Sequence, residues 1–172
     1  MKNQIFSLVF FGAIVLSGLS CKKDSVTNPS SSGNNYQAPN HVSALINGVQ
    51  WESFAPPPYV GASGNYYSGN YFDIEGRNYN GPGISYIYIK IFNLNDTGSF
   101  FLNDFNYGQY YDSQNNRYYN TDYLHTGYIH VTKFDLLSSK ASANFTFIAK
   151  DTVSGDTVNV TQGKAFDVTF LH

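Results

Sequence analysis

Two carboxylates followed by a guanidinium are the first candidates for chemistry in this 172-residue chain. Asp73 and Glu75 are separated by one residue in the segment YFDIEGR, and Arg77 follows two residues later. Alternation along a strand would place all three side chains on one face. Glycosidases need two carboxyl groups that face each other across the substrate, normally from different segments. The spacing therefore favours a solvated face that carries an ion pair over a catalytic carboxylate pair.

The spacing of the histidines does not predict that they come together in a metal site or an acid–base site. His125 and His130 differ by an odd number, so one regular strand would point them to opposite faces. Zinc requires three or four converging ligands, and the only cysteine, Cys21, is distant in sequence. We therefore predict no metal site and no cofactor. The remaining histidines are His41 and His172.

Residues 93–104 partly match the template of a calcium-binding loop. Aspartate stands at position 12, where the template has a bidentate glutamate, and strand-like segments flank the loop where the template has helices. Asn-Asp-Thr-Gly is also typical of a hairpin turn. We interpret the segment as such a turn, with calcium binding as the alternative. The residues at template positions 1, 3, 5, 6 and 12 are Asn93, Asn95, Thr97, Gly98 and Asp104.

Tyrosine is the residue type whose distribution points to a function. Fourteen of the fifteen tyrosines lie between Tyr59 and Tyr128, and six lie in NYGQYYDSQNNRYYNTDY, residues 106–123. Tyrosine combines a flat apolar ring with a polar tip and is enriched at binding surfaces. We predict that this stretch binds a glycan or a protein; the alternative is that the tyrosines cover a loop and the solvated faces of strands. The candidate ligand-binding residues are Tyr107, Tyr110, Tyr111, Tyr118, Tyr119 and Tyr123.

Charge and motif content argue against several other classes of protein. From residue 41 onward the chain has 7 Lys and Arg against 11 Asp and Glu, so no basic surface for nucleic acid is expected. The sequence contains no Gly-x-Ser-x-Gly elbow, phosphate-binding loop or dinucleotide fingerprint. A single cysteine cannot close an intramolecular disulfide bond.

The first 20 residues have the organisation of a signal peptide. Lys2 supplies a positive charge, and residues 5–16 form an apolar run that is too short to cross a bilayer. Residues 22–40 are rich in Ser, Asn, Pro and Gly and cannot bury enough apolar surface to fold. We predict that residues 22–40 form a flexible tether with a typical reach of about 25 Å.

The cysteine that follows the apolar run resembles the lipobox of bacterial lipoproteins. In those proteins the cysteine is acylated and becomes the first residue of the mature chain. The usual leucine three residues earlier is replaced by Gly18, Leu19 comes one position late, and Ser20 fits the pattern. We predict lipidation of Cys21, with an ordinary secretory peptide as the alternative. Two or three acyl chains would make membrane attachment effectively permanent.

The rest of the chain has the pattern of an all-β domain. Hydrophobic residues recur with a period of two, as in ISYIYIKIF, where isoleucines fall on one face and tyrosines and lysine on the other. Asn47-Gly48 predicts a tight hairpin, and the prolines of residues 55–70 predict a loop. No segment shows sustained helical amphipathicity. We predict one domain over residues 41–172, an antiparallel β-sandwich with a small antiparallel β-barrel as the alternative.

Three segments of this domain resemble a known family. They are VSALINGVQWES, YIYIKIFNLNDTGSFFLN, and a terminal Phe-x-Phe strand that is followed by a turn and a Val-Thr-x-Gly-x-x-Phe-x-Val strand. They are similar to small Bacteroidota-type lipoproteins with a domain of unknown function. The similarity covers roughly residues 41–172. It implies an all-β lipoprotein of the cell envelope and implies no particular activity.

Two short patterns bear on location and modification. Acid-rich residues after the lipidated cysteine resemble a surface-export signal in this bacterial group, and here two lysines precede Asp24. The pattern favours the periplasmic face of the outer membrane over the cell surface. Tripeptides of Asp, Ser or Thr, and an aliphatic residue resemble O-glycosylation acceptors of the same group. The candidate acceptors are Ser25, Thr152 and Thr157.

The leading hypothesis is a non-enzymatic, lipid-anchored envelope protein that binds a glycan or an envelope protein through tyrosine-rich loops. The first alternative is a structural or assembly component of an envelope complex, which would expose a large apolar patch. The second is a hydrolase, which would need ionisable groups that converge in a cleft. Its further candidate carboxylates are Asp112 and Asp122.

Overall fold

The structure, a computed structural model, describes residues 38–172. The predicted signal peptide, Cys21, Ser25 and most of the predicted tether lie outside these residues. The described part of the chain consists of strands, turns and loops, without a helix. The all-β prediction is therefore confirmed. The eleven strands are β1 (His41–Ile46), β2 (Val49–Glu52), β3 (Ala62–Tyr67), β4 (Tyr71–Asn78), β5 (Ser85–Phe92), β6 (Gly98–Leu102), β7 (Tyr107–Asp112), β8 (Arg117–Asn120), β9 (Gly127–Asp135), β10 (Lys140–Asp151) and β11 (Thr157–Leu171).

All eleven strands belong to one mostly antiparallel sheet whose ladders return on themselves. The strand order is β2-β1-β11-β3-β4-β5-β7-β8-β10-β9-β6, and β10 also pairs with β11. The pairings thus run in a circuit through β11, β3, β4, β5, β7, β8 and β10. The hairpin of β1 and β2 extends from β11, and β6 extends from β9. Among the described strands, the one parallel ladder joins β11 to β3.

The hydrophobic core fills the inner side of this sheet. Phe72 on β4, Phe134 on β9 and Phe170 on β11 meet there with ring centroids 5.4–5.6 Å apart. Aromatic pairs at such distances contribute about 0.5–1.5 kcal/mol beyond the burial of their area. The inner face of β5 adds its three isoleucines, which are 1–2% exposed. Because the core takes the apolar residues of β4 and β5, the outer faces of these strands carry their polar and aromatic residues.

The turn predictions have mixed outcomes. Asn47 and Gly48 form the predicted hairpin turn, with φ values of 50° and 83°, as a type I′ turn requires. The prediction of a loop over residues 55–70 is correct for the prolines and wrong for β3. Ala62 and Gly64 of β3 are buried, and a Cβ on Gly64 would overlap the Asp73 carbonyl oxygen. The small residues let β3 pack closely against β4. They also give β3 no alternation of large apolar residues, which is the pattern that predicts a strand.

The described residues include no helix that is long and apolar enough to cross a membrane.

Candidate functional site

The tyrosine-rich stretch forms a β-hairpin, so the prediction of a loop is wrong. β7 pairs with β5 on one side and with β8 on the other. Asp112 closes the turn, because its carboxylate accepts hydrogen bonds from the Gln114 backbone N–H at 3.0 Å and the Asn115 side chain at 2.7 Å. The polar composition that suggested a loop reflects the solvent side of a strand pair, where tyrosine has good propensity.

The hairpin divides the six candidate tyrosines between two sides of the sheet. Tyr110 and Tyr119 face inward: Tyr119 is 6% exposed and belongs to the core, and Tyr110 packs against the core. Tyr107, Tyr111 and Tyr118 face outward in the alternation of β7 and β8. The sixth residue, Tyr123, lies in the loop after β8 and is 77% exposed. The structure therefore brings three of the six together on one surface.

The outward tyrosines join further aromatic residues on β4 and β5. The alternation of these strands, whose isoleucines face the core, places the additional rings on the same outer side. Sequence reasoning assigned the outer side of β5 correctly but did not connect it with the tyrosine-rich stretch, because that requires the pairing of β5 with β7. We call this surface the aromatic face; its rings are Tyr71, Tyr86, Tyr88, Phe92, Tyr107, Tyr111 and Tyr118.

Cross-strand register aligns the rings in rows. Tyr86, Tyr111 and Tyr118 are direct neighbours on β5, β7 and β8. The ring centroids are 5.3 Å apart for Tyr86 and Tyr111, and 4.5 Å apart for Tyr111 and Tyr118. A second pair, Tyr88 and Tyr107, has centroids 5.8 Å apart. Such cross-strand pairs stabilise the sheet and give a nearly continuous surface of rings and phenol groups.

Amide side chains lie between the rows of rings. The Tyr86 hydroxyl donates a hydrogen bond to Gln109 Oε1 at 3.0 Å, and Gln109 Nε2 donates one to Asn120 Oδ1 at 2.6 Å. Burial raises the pKa of Tyr86 to about 12, so the phenol stays protonated and donates this hydrogen bond. The amides are thereby held in fixed orientations on the aromatic face.

The ionisable groups of the aromatic face are balanced in charge. Arg77 donates two hydrogen bonds of 2.8 Å to Glu75, which confirms the predicted ion pair. Lys90 places its Nζ 3.7 Å from the centre of the Tyr71 ring, a cation–π contact. Together with Asp73, the face carries two acidic and two basic side chains.

Asp73 is buried, whereas the sequence predicted a solvated carboxylate. It is 4% exposed. Its carboxylate accepts hydrogen bonds from the backbone and side chain of Asn65 at 2.9 and 3.0 Å, and from the Tyr88 hydroxyl at 3.2 Å. Desolvation raises the pKa of Asp73 although these donors act in the opposite direction. Burial and the Asp73 charge also raise the pKa of Tyr88. Asp73 therefore positions the Tyr88 ring by accepting a hydrogen bond from its hydroxyl group.

Replacing Asp73 with asparagine is expected to remove a pH dependence of stability. Because the pKa of Asp73 is raised in the folded state, the folded protein holds this proton more tightly than the unfolded chain does. Stability therefore falls as pH rises above the ordinary value of 3.8 and levels off once the folded carboxyl has ionised. Urea unfolding over a pH series should show the wild type losing stability relative to Asp73→Asn over that window. A difference that stays constant with pH would contradict the assignment.

A polar cleft adjoins the aromatic face at the tip of the β7–β8 hairpin. It has a volume of about 400 Å³ and lies between this tip and the turn that joins β10 to β11. Arg117 links the two turns by donating to Asp156 and, at 3.1 Å, to Ser154. Tyr118 and Asn120 line the cleft and also lie on the outer side of β8. A ligand on the aromatic face can therefore extend into the cleft.

The candidate glycosylation residues that the structure describes are both accessible. Thr152 lies in the β10–β11 turn and lines the cleft, and Thr157 begins β11; both are exposed. Their modification stays a prediction.

The hydrolase candidates are spread over separate parts of the sheet. His125 contacts Asp122 at 2.9 Å, and His130 contacts Ser99 at 2.9 Å on the exposed surface of β9. Asp112 caps the hairpin turn. No three His, Cys, Asp or Glu side chains within residues 38–172 are placed to share a metal ion.

Residues 93–104 do not form the predicted hairpin turn. β5 pairs with β4 and β7, whereas β6 pairs with β9, so the segment is a crossover between distant strands. Gly98 begins β6, and the four remaining residues of this strand separate Gly98 from Asn103 and Asp104. The template positions therefore do not close into one loop.

The aromatic face is thus a ring-rich surface with fixed amides and balanced charge, and it continues into a polar cleft. Aromatic rings bind the apolar C–H groups of a ligand, while phenols and amides form hydrogen bonds with its hydroxyl groups. Comparisons with protein-family models, with curated protein sequences and with solved structures found no match.

Proposed function

We propose that this protein is a lipid-anchored, non-catalytic binding module of the cell envelope and that its aromatic face binds a neutral glycan. One observation carries the proposal. The strands β4, β5, β7 and β8 present seven aromatic rings and two hydrogen-bonded amides on one outer surface. Tyrosine-rich surfaces of this kind are common at recognition sites.

The proposed location rests on the N-terminal sequence. The signal peptide of residues 1–20 directs export, and acylation of Cys21 attaches the mature chain to the outer membrane. The lysines before Asp24 favour the periplasmic face. Residues 22–40 then connect the domain to the lipid anchor through a flexible tether with a typical reach of about 25 Å, which also allows the domain to lie on the membrane surface.

A neutral glycan fits the chemistry of the aromatic face better than a charged ligand. The charged groups are already balanced, because Glu75 pairs with Arg77, and Lys90 lies over the Tyr71 ring and opposite Asp73 on the neighbouring strand. An anionic ligand would have to compete with these contacts or bind without a free cation. The phenols and amides instead offer both donors and acceptors to hydroxyl groups.

A binding panel of neutral and anionic polysaccharides tests this function. We expect residues 36–172 to bind at least one neutral polysaccharide, such as a xylan, mannan or mixed-linkage glucan, and to bind sulfated or uronic-acid polymers more weakly. The buried core side chains that the structure describes lie between Val42 and Phe170, and this segment contains all of them. Binding to none of the neutral polymers, or a preference for the anionic ones, would contradict the proposal.

A further inference from the structure

A second unusual surface lies at the ends of β2 and β4, beyond the Tyr86 end of the aromatic face. It consists of the loop of residues 54–60 and the turn of residues 79–84, which we call the apolar cap. Four of its large side chains are exposed by 42–62%: Phe54, Tyr59, Val60 and Ile84. Three consecutive prolines between Phe54 and Tyr59 are exposed as well.

The two segments of the apolar cap are joined by direct contacts. The Phe54 backbone N–H donates to the Arg77 carbonyl at 2.8 Å, and the Tyr79 N–H donates to the Phe54 carbonyl at 3.0 Å. The rings of Tyr59 and Tyr79 stack with centroids 5.8 Å apart. These contacts hold the exposed apolar groups as one structured surface.

The apolar cap contains no charged residue. None occurs between Ser53 and Phe72, or between Asn78 and Ile89. The charges nearest in sequence are Glu52 and the Glu75–Arg77 ion pair, which lie on strands at its rim. Large contiguous apolar patches on soluble proteins usually mark a site that contacts a partner or a membrane.

The chain enters the domain beside the apolar cap. Val42 at the start of β1 and Ser53, the residue before Phe54, share two hydrogen bonds: the Val42 N–H donates to Ser53 Oγ at 2.8 Å, and the Ser53 N–H donates to the Val42 carbonyl at 2.7 Å. Ala38, where the described chain begins, is four residues from Val42. The proposed lipid anchor at Cys21 is therefore connected to the domain at this surface.

We propose that the apolar cap docks on a lipid membrane surface. The proposal rests on the membrane attachment in the proposed function, which brings this end of the domain to the lipid. Tyrosine rings with a polar tip suit the boundary between headgroups and acyl chains, and the absence of charge avoids the cost of burying ions there. The apolar cap adds a second membrane contact to the anchor.

Vesicle flotation of residues 36–172 tests this docking. The segment lacks Cys21, so any association with phosphatidylcholine vesicles reports the domain alone. We expect the wild-type segment to float with the vesicles and the double variant Tyr59→Ser/Val60→Ser to have a partition coefficient about tenfold lower. Tyr59 and Val60 are exposed, as are Leu137 and Val153 of the control variant described next, so both double variants should stay folded.

The matched control removes apolar groups elsewhere that are even more exposed than Tyr59 and Val60. Leu137 and Val153 are 101% and 94% exposed in other turns, and Leu137→Ser/Val153→Ser should float like the wild type. Failure of the wild type to float, or equal losses in both double variants, would overturn the proposal. Self-association in the absence of lipid that Tyr59→Ser/Val60→Ser abolishes would also overturn it and assign the apolar cap to a second copy of the chain.

The outcome is separable from that of glycan binding. The apolar cap and the aromatic face share no residue, so Tyr59→Ser/Val60→Ser should bind polysaccharide like the wild type. A protein that floats but binds no glycan would support the cap and contradict the proposed ligand. A protein that binds glycan but does not float would support the proposed ligand and contradict the membrane docking of the apolar cap.

Discussion

Binding of the best neutral polysaccharide should weaken by about a hundredfold when Tyr111 and Tyr118 are both replaced by alanine. These two rings lie 4.5 Å apart in the row of the aromatic face that also contains Tyr86. Buried tyrosines at interfaces often contribute about 2 kcal/mol or less each, so two of them account for roughly two orders of magnitude in affinity. Isothermal titration calorimetry on residues 36–172 measures the loss.

Tyr123 supplies the control for this variant. It belongs to the same tyrosine-rich stretch, but it lies in the loop after β8 and is 77% exposed. Tyr123→Ala should therefore bind like the wild type. An equal loss of affinity in Tyr123→Ala would contradict the aromatic face and favour recognition by the loop.

Gly127→Ala should destabilise the fold by about 3 kcal/mol or more, which we expect to be the largest effect of any single methyl group. A Cβ at this position would overlap the Thr146 carbonyl oxygen and lie 2.5 Å from the Phe147 Cα. Both are backbone atoms of β10, so a side-chain rotation cannot relieve the overlap. Urea unfolding should show a lower midpoint with a similar dependence on denaturant.

Gly98→Ala is the matched control in the neighbouring strand. Its new Cβ would meet the Phe100 ring at an ordinary distance of 3.7 Å. We expect a change within about 0.5 kcal/mol of zero. A similar loss of unfolding free energy in both variants would contradict this account. It would show that replacing any glycine in these strands is destabilising, whether or not it packs against β10.

The local patterns were sufficient to predict several of the strands that form the core. In ISYIYIKIF, strict alternation separates the isoleucines of the core from the tyrosines of the outer face, and the structure places them so. Asn47 and Gly48 specify their turn through backbone conformations that few other residues adopt. In both cases the information lies within a few residues.

The candidate site could be predicted only in part, because it depends on pairing between distant strands. In Tyr110-Tyr111 and Tyr118-Tyr119, one ring of each pair faces the core and the other faces outward. Amino-acid composition cannot distinguish the two tyrosines of each pair. The pairing of the hairpin strands determines which of them faces the core. The burial of Asp73 likewise requires Asn65 of β3, a strand whose small residues give no apolar alternation.

The central claim, that the aromatic face binds a neutral glycan, is tested most directly by nuclear magnetic resonance. Backbone amide signals of isotope-labelled residues 36–172 would be followed while the best neutral oligosaccharide of the panel is added. We predict that the largest shifts occur on β5, β7 and β8, centred on Tyr86, Tyr111 and Tyr118. Shifts centred on another surface, or the absence of saturable shifts, would contradict the claim.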